Sequence, residues 1–318
     1  MSCDLSVVMT AYNQAWLLRT VLALLREQDY GGRWEVIVCD DGSDDDAAAV
    51  VRETYRATGV PARYVWQERG RERRSRSRNN ALRLAEGDVV LLMDGDLAVG
   101  PDFVSSHARK HGGGERLAVY GTRRRLFLGD LPSAAGVDET VRRWLAGAGP
   151  IQSLPTEYEF QRKCAGSRYA WLGCMGCNFS FTRGPETLFD EGFVGWGAED
   201  QEFACRLQVR YGFRLQFEPG ICGLHVDTGR RAEFSAIRPR DAEAIAGYVR
   251  NVVYFRQKYP DLDMIPACNG LGYFEPDPAT GGWRQARQAR HDREHVRELV
   301  ERAMEWCARS PESSGRLH

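Results

Sequence analysis

The run Val89-Val90-Leu91-Leu92-Met93 leads straight into Asp94-Gly95-Asp96. Five consecutive apolar side chains leave no polar face, so the run predicts a central strand covered on both sides, as in parallel sheets. That confines the chain to an α/β architecture. In open α/β sheets ligands sit just beyond the carboxyl ends of the strands, so Asp94 and Asp96 stand where a ligand is expected. Two carboxylates at i and i+2 with glycine between them can both turn toward one hard cation. Mg²⁺ and Mn²⁺ take such oxygen ligands and keep positions open for phosphate oxygens. An Asp-rich turn with no ligand is the alternative reading, and the surrounding motifs decide between the two.

Leu5 to Met9 reads as a strand, followed by the polar turn Thr10-Ala11-Tyr12-Asn13 and a helix with Leu17, Leu18, Val21, Leu22 and Leu25 at helical spacing. Trp34 to Cys39 is a second strand ending in Asp40-Asp41-Gly42-Ser43, Asp44 to Tyr55 a helix, and Ala62 to Gln67 a third strand. This alternation predicts a parallel sheet with right-handed crossovers. Residues 69 to 80 break it with arginines at 69, 71, 73, 74, 76 and 78, ahead of a helix expected from Asn80 to Ala85. The run reads either as a solvated face or as a set of guanidinium groups overhanging the metal site, able to hold a diphosphate by paired hydrogen bonds. Further on we expect a helix from Gly100-Pro101-Asp102-Phe103, a strand from Leu117 to Gly121, an irregular excursion over 129–160, and a strand through Trp171 to Phe181. A Gly-rich loop over Asp190 to Ala198 then precedes a helix opened by Glu199-Asp200, with strands at Phe213 to Phe217 and Ile221 to His225. Arg238 to Tyr259 and Arg284 to Ala308 read as helices joined by a connector. The second carries a stripe of Val296, Leu299, Val300, Met304 and Trp306 suited to its own domain or to a partner subunit.

Composition narrows the classes. A net charge of -1 gives no global pull toward nucleic acid, and the arginine run lacks interleaved aromatic residues, so no nucleic-acid partner is expected. No stretch approaches the roughly 20 apolar residues of a membrane-spanning helix. The N-terminus enters a strand almost at once, so no signal peptide is expected. Nine cysteines, an odd number without a framework spacing, fit free thiols in a reducing cytoplasm. Cys174 and Cys177 lack a second pair at zinc spacing.

Four pieces in order now carry a resemblance: Val7-Val8-Met9-Thr10-Ala11-Tyr12-Asn13, Val38-Cys39-Asp40-Asp41-Gly42-Ser43, Arg78-Asn79 ahead of Asp94-Gly95-Asp96, and Gly195-Trp196-Gly197-Ala198-Glu199-Asp200-Gln201-Glu202. Together they resemble the family 2 glycosyltransferases of GT-A fold. The last piece is similar to the Trp-Gly-x-Glu-Asp segment of bacterial chondroitin polymerases and β-1,4-galactosyltransferases. The resemblance spans roughly residues 4 to 230. It implies a Rossmann-like, mostly parallel central sheet flanked by helices over 1–235, with a nucleotide-sugar half (about 1–100) and an acceptor half (about 101–235). A helical extension would occupy 236–318.

The implied activity is metal-dependent, inverting transfer of a sugar from a UDP-sugar. Thr10, Ala11, Tyr12 and Asn13 would line the nucleoside, Asp41 would bond the uracil edge, and Arg78 would reach the diphosphate. Asp94 and Gly95 would lie by the ribose and the metal shell, with Asp96 ligating Mn²⁺ or Mg²⁺ and His225 adding an imidazole ligand. Asp200 would be the base that takes the acceptor's proton, with Glu199 beside it. Trp196 and Asn178 would meet the acceptor, which the sequence leaves open as a small metabolite, a peptide or a glycan. A homodimer through the C-terminal helices is compatible with their stripe. Two other readings remain: a nucleotidyltransferase, although the first strand lacks a Gly-rich basic loop, and a silent sugar-nucleotide-binding module.

Overall fold

The computed structural model describes residues 3–58, 61–70, 73–127, 134–147, 155–227 and 241–309. In chain order the first half runs β1 (Cys3–Ala11), α1 (Ala15–Leu25), β2 (Trp34–Asp40), α2 (Ala47–Thr58), β3 (Ala62–Trp66), α3 (Arg74–Leu82), β4 (Gly87–Asp94), β5 (Leu97–Val99) and α4 (Phe103–Ala108). The second half follows as β6 (Leu117–Phe127), α5 (Ala134–Leu145), α6 (Pro155–Cys164), β7 (Asn178–Thr182), α7 (Glu199–Tyr211), β8 (Arg214–Asp227), α8 (Ala242–Lys258), β9 (Phe274–Pro276), β10 (Trp283–Gln285) and α9 (Arg293–Arg309).

Eight strands form one sheet in the order β3-β2-β1-β4-β7-β6-β8-β5. The β3-β2-β1-β4 half is parallel throughout, and β6 also runs parallel to β8, while β4/β7, β6/β7 and β5/β8 are antiparallel. The expected α/β class and GT-A topology are thus present. Alternation along β1 and β4 sends Val7, Met9, Leu91 and Met93 into one core with α1. It sends Val8, Val90 and Leu92 into the other core, with residues of α7, α8 and α9. Both faces of β4 are covered, which is why its sequence is a continuous apolar run.

Several elements differ from the sequence expectation. From Arg74 onward the arginine run forms the first turns of α3, so the helix starts six residues before Asn80. Only Asn178 onward of the Trp171 to Phe181 segment is strand; Ala170–Gly173 is a 3-10 turn. The two strands expected at 213–225 are one strand, β8, irregular opposite Tyr120/Thr122. The excursion over 129–160 contains two helices, α5 and α6. Trp283–Gln285 pairs with Phe274–Pro276 as a hairpin, so α9 begins at Arg293, where Asp292 accepts from the His295 N–H at 3.0 Å.

The boundary expected at 235/236 and the start of the helix expected at Arg238 lie outside the described residues. The buried stripe of α9 is Val296, Leu299, Val300, Ala303 and Cys307, packed within the same core as α8, while Met304 is exposed. The stripe that suited a partner copy is therefore covered by its own chain. Eight described cysteines are free thiols, and no helix among the described residues is long and apolar enough to cross a membrane.

Candidate active site

The carboxyl ends of β1, β2 and β4 converge, as the parallel order requires. At the end of β4 the Thr10 hydroxyl donates to Asp94 Oδ1 at 2.8 Å, and the Gly95 N–H donates to the Thr10 carbonyl at 2.8 Å. A Cβ on residue 95 would lie 2.8 Å from that same carbonyl oxygen, so the residue between the two acids has to be glycine. Beyond it, β5 pairs with β8 in the register Leu97↔His225, and the Val226 N–H donates to the Asp96 carbonyl at 2.9 Å. This pairing delivers His225 to Asp96 across 129 residues of chain, with Nε2 3.5 Å from Asp96 Oδ1.

Asp94, Asp96 and His225 each offer a ligand atom, all within 4.8 Å of one another. Asp96 Oδ1 is buried without a hydrogen-bond partner. An orphaned carboxylate oxygen beside a second carboxylate and an imidazole fits a divalent cation with mixed O and N ligands. Burial pushes the Asp96 carboxyl up and the neighbouring Asp94 charge adds to it, against His225. For Asp94 burial acts the same way, but Arg78 and the Thr10 hydroxyl overcome it and hold the carboxyl below its ordinary range.

The second pair of acids opens α7. The loop before it carries three left-handed residues, Gly195 (φ 85°), Gly197 (φ 93°) and Ala198 (φ 73°). The last is uncommon for a residue with a side chain. Asp200 is gripped on both oxygens, by Arg78 Nη1 at 2.7 Å and by the Gly176 N–H at 2.9 Å. Arg78 also reaches Asp94 through Nη2 at 3.4 Å, lies 3.8 Å from Glu199, and stacks over Phe189 at 5.1 Å. Its side chain is 2% exposed. It therefore bridges Asp94 and the acidic pair at the cavity wall, with both of its Nη atoms already engaged by carboxylates. Arg74, four residues earlier on the same helical face and 33% exposed, is the more open α3 guanidinium at the cavity, 3.8 Å from Glu199. Burial, reinforced by the Asp200 charge, pushes the Glu199 carboxyl up to about 7.

Asp94, Asp96, His225, Glu199, Asp200, Arg74 and Arg78 line one cavity of about 690 Å³, together with Ala11, Tyr12, Asp41 and Trp196. Asp41 accepts from Gln67 Nε2 and from the Arg73 N–H at 2.9 Å, and burial pushes its carboxyl up. Asn13 is not at the wall: its φ is 49°, and its Oδ1 accepts from the Asp44 N–H at 2.8 Å, tying two loops together. Asn178 is also withdrawn. It is 1% exposed, donates to the Thr122 and Ile221 carbonyls, and lies against His107 Nε2 at 2.8 Å. It orders the strand interior and does not face an acceptor.

The family model for glycosyl transferase family 2 matches residues 6–181. The chain belongs to glycosyl transferase family 2. Hyaluronan synthase of Pasteurella multocida is 30% identical over 239 residues, covering 70% of this chain and 24% of that protein. Validoxylamine A glucosyltransferase of Streptomyces hygroscopicus subsp. jinggangensis is 31% identical over 289 residues, covering 85% of this chain and 65% of that protein. The chain thus spans about a quarter of the first relative and 65% of the second. Two solved structures share its fold. S. aureus TarS 1-349 in complex with UDP-GlcNAc has a TM-score of 0.56 at 15% identity, over 98% of this chain and 78% of that one. Mannosyltransferase PcManGT from Pyrobaculum calidifontis, in complex with GDP-Man and Mn²⁺, has a TM-score of 0.55 at 17% identity, over 100% and 79%.

This family 2 chain has further groups in the cavity that its sequence does not single out. Arg123 and Arg125, i and i+2 on β6, enter it from the far side of the sheet's parallel half; Arg123 pairs with Glu157 at 2.6 Å and Arg125 with Asp227 at 2.9 Å. Tyr248 comes from α8, and its ring lies 5.4 Å from that of Trp196. Asn251, one turn further along α8, donates to the Gly197 carbonyl at 3.1 Å. The C-terminal region thus builds the wall that supports the Trp196 loop. The three consecutive arginines Arg123-Arg124-Arg125 on β6 were the one available signal; Tyr248 and Asn251 sit in an ordinary amphipathic helix.

Proposed function

We propose that this family 2 enzyme transfers a sugar from a UDP-sugar to an acceptor hydroxyl with inversion, using a divalent cation, Mn²⁺ or Mg²⁺. The observation that carries the reading is the bridge through Arg78, which joins the Asp94–Asp96–His225 cluster to Asp200 across one cavity. A cation held by that cluster would offset the charge of the departing diphosphate. Arg74 approaches the same diphosphate from α3. Thr10, Ala11, Tyr12 and Asp41 border the nucleoside, and the uracil imide N–H donates to Asp41. Asp200 stands 28% exposed in the cavity and takes the acceptor's proton as its oxygen attacks. The Arg78 and Gly176 bonds fix that carboxylate in orientation, so little reorganisation is needed during attack. Trp196, backed by Tyr248, offers a flat apolar face to the acceptor. Glu199, 5% exposed, supports the pair. UDP-GlcNAc in one fold neighbour and Mn²⁺ in another support the donor class and the metal.

Calorimetric titration of UDP with and without Mn²⁺ tests the site. Binding is expected to require Mn²⁺ in the wild type and to be lost in Asp96→Ala. Unchanged UDP binding in that variant would sink the assignment. A panel of UDP-sugars, read by metal-dependent release of UDP, then identifies the donor.

A further inference from the structure

His225 touches a second carboxylate that lies outside the metal cluster. Asp227 follows it by two residues on β8, so both side chains project from one face of the strand. β6 pairs in parallel with β8 in the register Arg125↔His225 and Phe127↔Asp227. Through that register Arg125, 2% exposed, holds Asp227: its Nη1 donates to Oδ1 at 3.1 Å and to Oδ2 at 2.9 Å. Asp227 Oδ2 lies 3.6 Å from His225 Nδ1, a nitrogen that is buried and has no hydrogen-bond partner. The other ring nitrogen, Nε2, points to Asp96. The ring is therefore lined up between two carboxylates, one in the metal cluster and one behind it.

A neutral imidazole carries one proton on its two nitrogens. To give a lone pair to a cation at Nε2, His225 must keep its proton on Nδ1. A carboxylate can only accept, so with a cation held between Asp96 and Nε2 it is Asp227 that selects this tautomer, and a closure of a few tenths of an ångström turns the contact into a hydrogen bond. Outer carboxylates of this kind orient metal-bound histidines and strengthen them as ligands. Asp227 itself is not among the grouped ligand atoms, and Arg125 already occupies both its oxygens.

We propose that Asp227, gripped by Arg125, is a positioning residue that fixes His225 in the Nδ1-protonated tautomer and thereby sets the cation affinity of the Asp94–Asp96–His225 centre. The inference rests on the reading of that cluster as a metal site, and the test separates the two.

The measurement is Mn²⁺ affinity, from the electron paramagnetic resonance signal of free Mn²⁺ at saturating UDP. The proteins are the wild type, Asp96→Ala, Asp227→Asn, His225→Ala and the Asp227→Asn/His225→Ala double variant. The Asn amide, with its oxygen kept on Arg125, turns an N–H toward Nδ1 and favours the tautomer that blocks Nε2. Asp227→Asn should weaken Mn²⁺ by about 10–100-fold, and by less than about threefold once His225 is already Ala. An equal loss in both backgrounds would show that Asp227 acts on the cation directly and overturn the inference. Normal affinity in Asp227→Asn, with binding lost in Asp96→Ala, would overturn it while leaving the metal site standing. Normal affinity in Asp96→Ala would remove the metal site and the inference together. Because Asp227→Asn strands a buried Arg125, the wild type is also read directly. The ¹⁵N shifts of His225 with Mg²⁺ and UDP bound, assigned by difference from His225→Ala, should show Nδ1 protonated. Protonation on Nε2 would overturn the inference whatever the variants do.

Discussion

Arg78 is the residue whose loss is expected to cost most. Its guanidinium is 2% exposed, 2.7 Å from Asp200 and 3.4 Å from Asp94, with Glu199 at 3.8 Å. Arg78→Met keeps much of the side-chain volume over Phe189 but leaves these carboxylates facing one another without a cation. Removing one partner of a buried ion pair costs about 3–5 kcal/mol, a large share of the roughly 5–15 kcal/mol that holds a domain together. Urea unfolding followed by circular dichroism should therefore show about 3–5 kcal/mol of destabilisation without metal. Adding Asp200→Asn to Arg78→Met should recover part of it, since the excess negative charge is then reduced. Arg78→Lys keeps the charge but not the fork that reaches Asp94 and Asp200 at once, and should fall between. Full stability in Arg78→Met, with UDP weakened far more than uridine, would refute the argument. It would place Arg78 on the diphosphate, as the sequence first led us to expect.

The diphosphate contact is instead expected from Arg74: Arg74→Ala should weaken UDP on the order of tenfold or more and uridine little, because a charge-assisted bond is worth about 1.5–3 kcal/mol. Calorimetry with both ligands checks this, and equal losses would contradict it. Glu199 has a raised folded-state carboxyl, about 7 against an ordinary 4.5, so the folded state holds its proton more tightly and stability falls as pH rises through that window. Glu199→Gln removes this dependence. Its unfolding free energy should gain on the wild type by about 1.4 kcal/mol per pH unit between pH 4.5 and 7, and a flat difference would contradict the burial argument. His111 has the opposite sign. Burial lowers it to about 4, so stability is complete above its unfolded value of 6.5 and is lost as pH falls toward 4. His111→Asn should flatten the unfolding-stability profile over that range by about 1.4 kcal/mol per pH unit; an unchanged slope would show that the wild-type ring titrates normally.

What the sequence disclosed and what it hid follow from range. The carboxyl ends of β1, β2 and β4 were legible because a buried parallel strand writes itself as an apolar run, and the acids after it stand out. Glu199 and Asp200 were legible because a Gly-Trp-Gly loop precedes a helix start. The burial of Arg78 was not legible: six arginines within ten residues read as a solvated face, and nothing local shows that α3 points one of them inward against residues 122 positions away. Asn178 looked like a site residue because its strand ends at the cavity, yet the His107 network behind β7 takes its carboxamide. Arg125 and Asp227 meet only through the β6/β8 register, and Tyr248 reaches Trp196 only because α8 folds back over the α7 loop. The helix starts at Arg74 and Arg293 were misplaced where charge or a short hairpin masked the apolar period.

In the proposed reaction the Asp94–Asp96–His225 cluster and Asp200 act on the two ends of one inverting displacement. Proton NMR of the first-formed product, once the donor is known, tests it most directly, run on the wild type with Mn²⁺, with chelator, and on Asp200→Asn. The expected product has inverted anomeric configuration and forms only with the cation. Transfer should be about 10²–10⁴-fold slower in Asp200→Asn, the range for loss of a general base, with UDP and Mn²⁺ binding near normal. A product of retained configuration, turnover indifferent to chelator, or full activity in Asp200→Asn would contradict the proposed reaction.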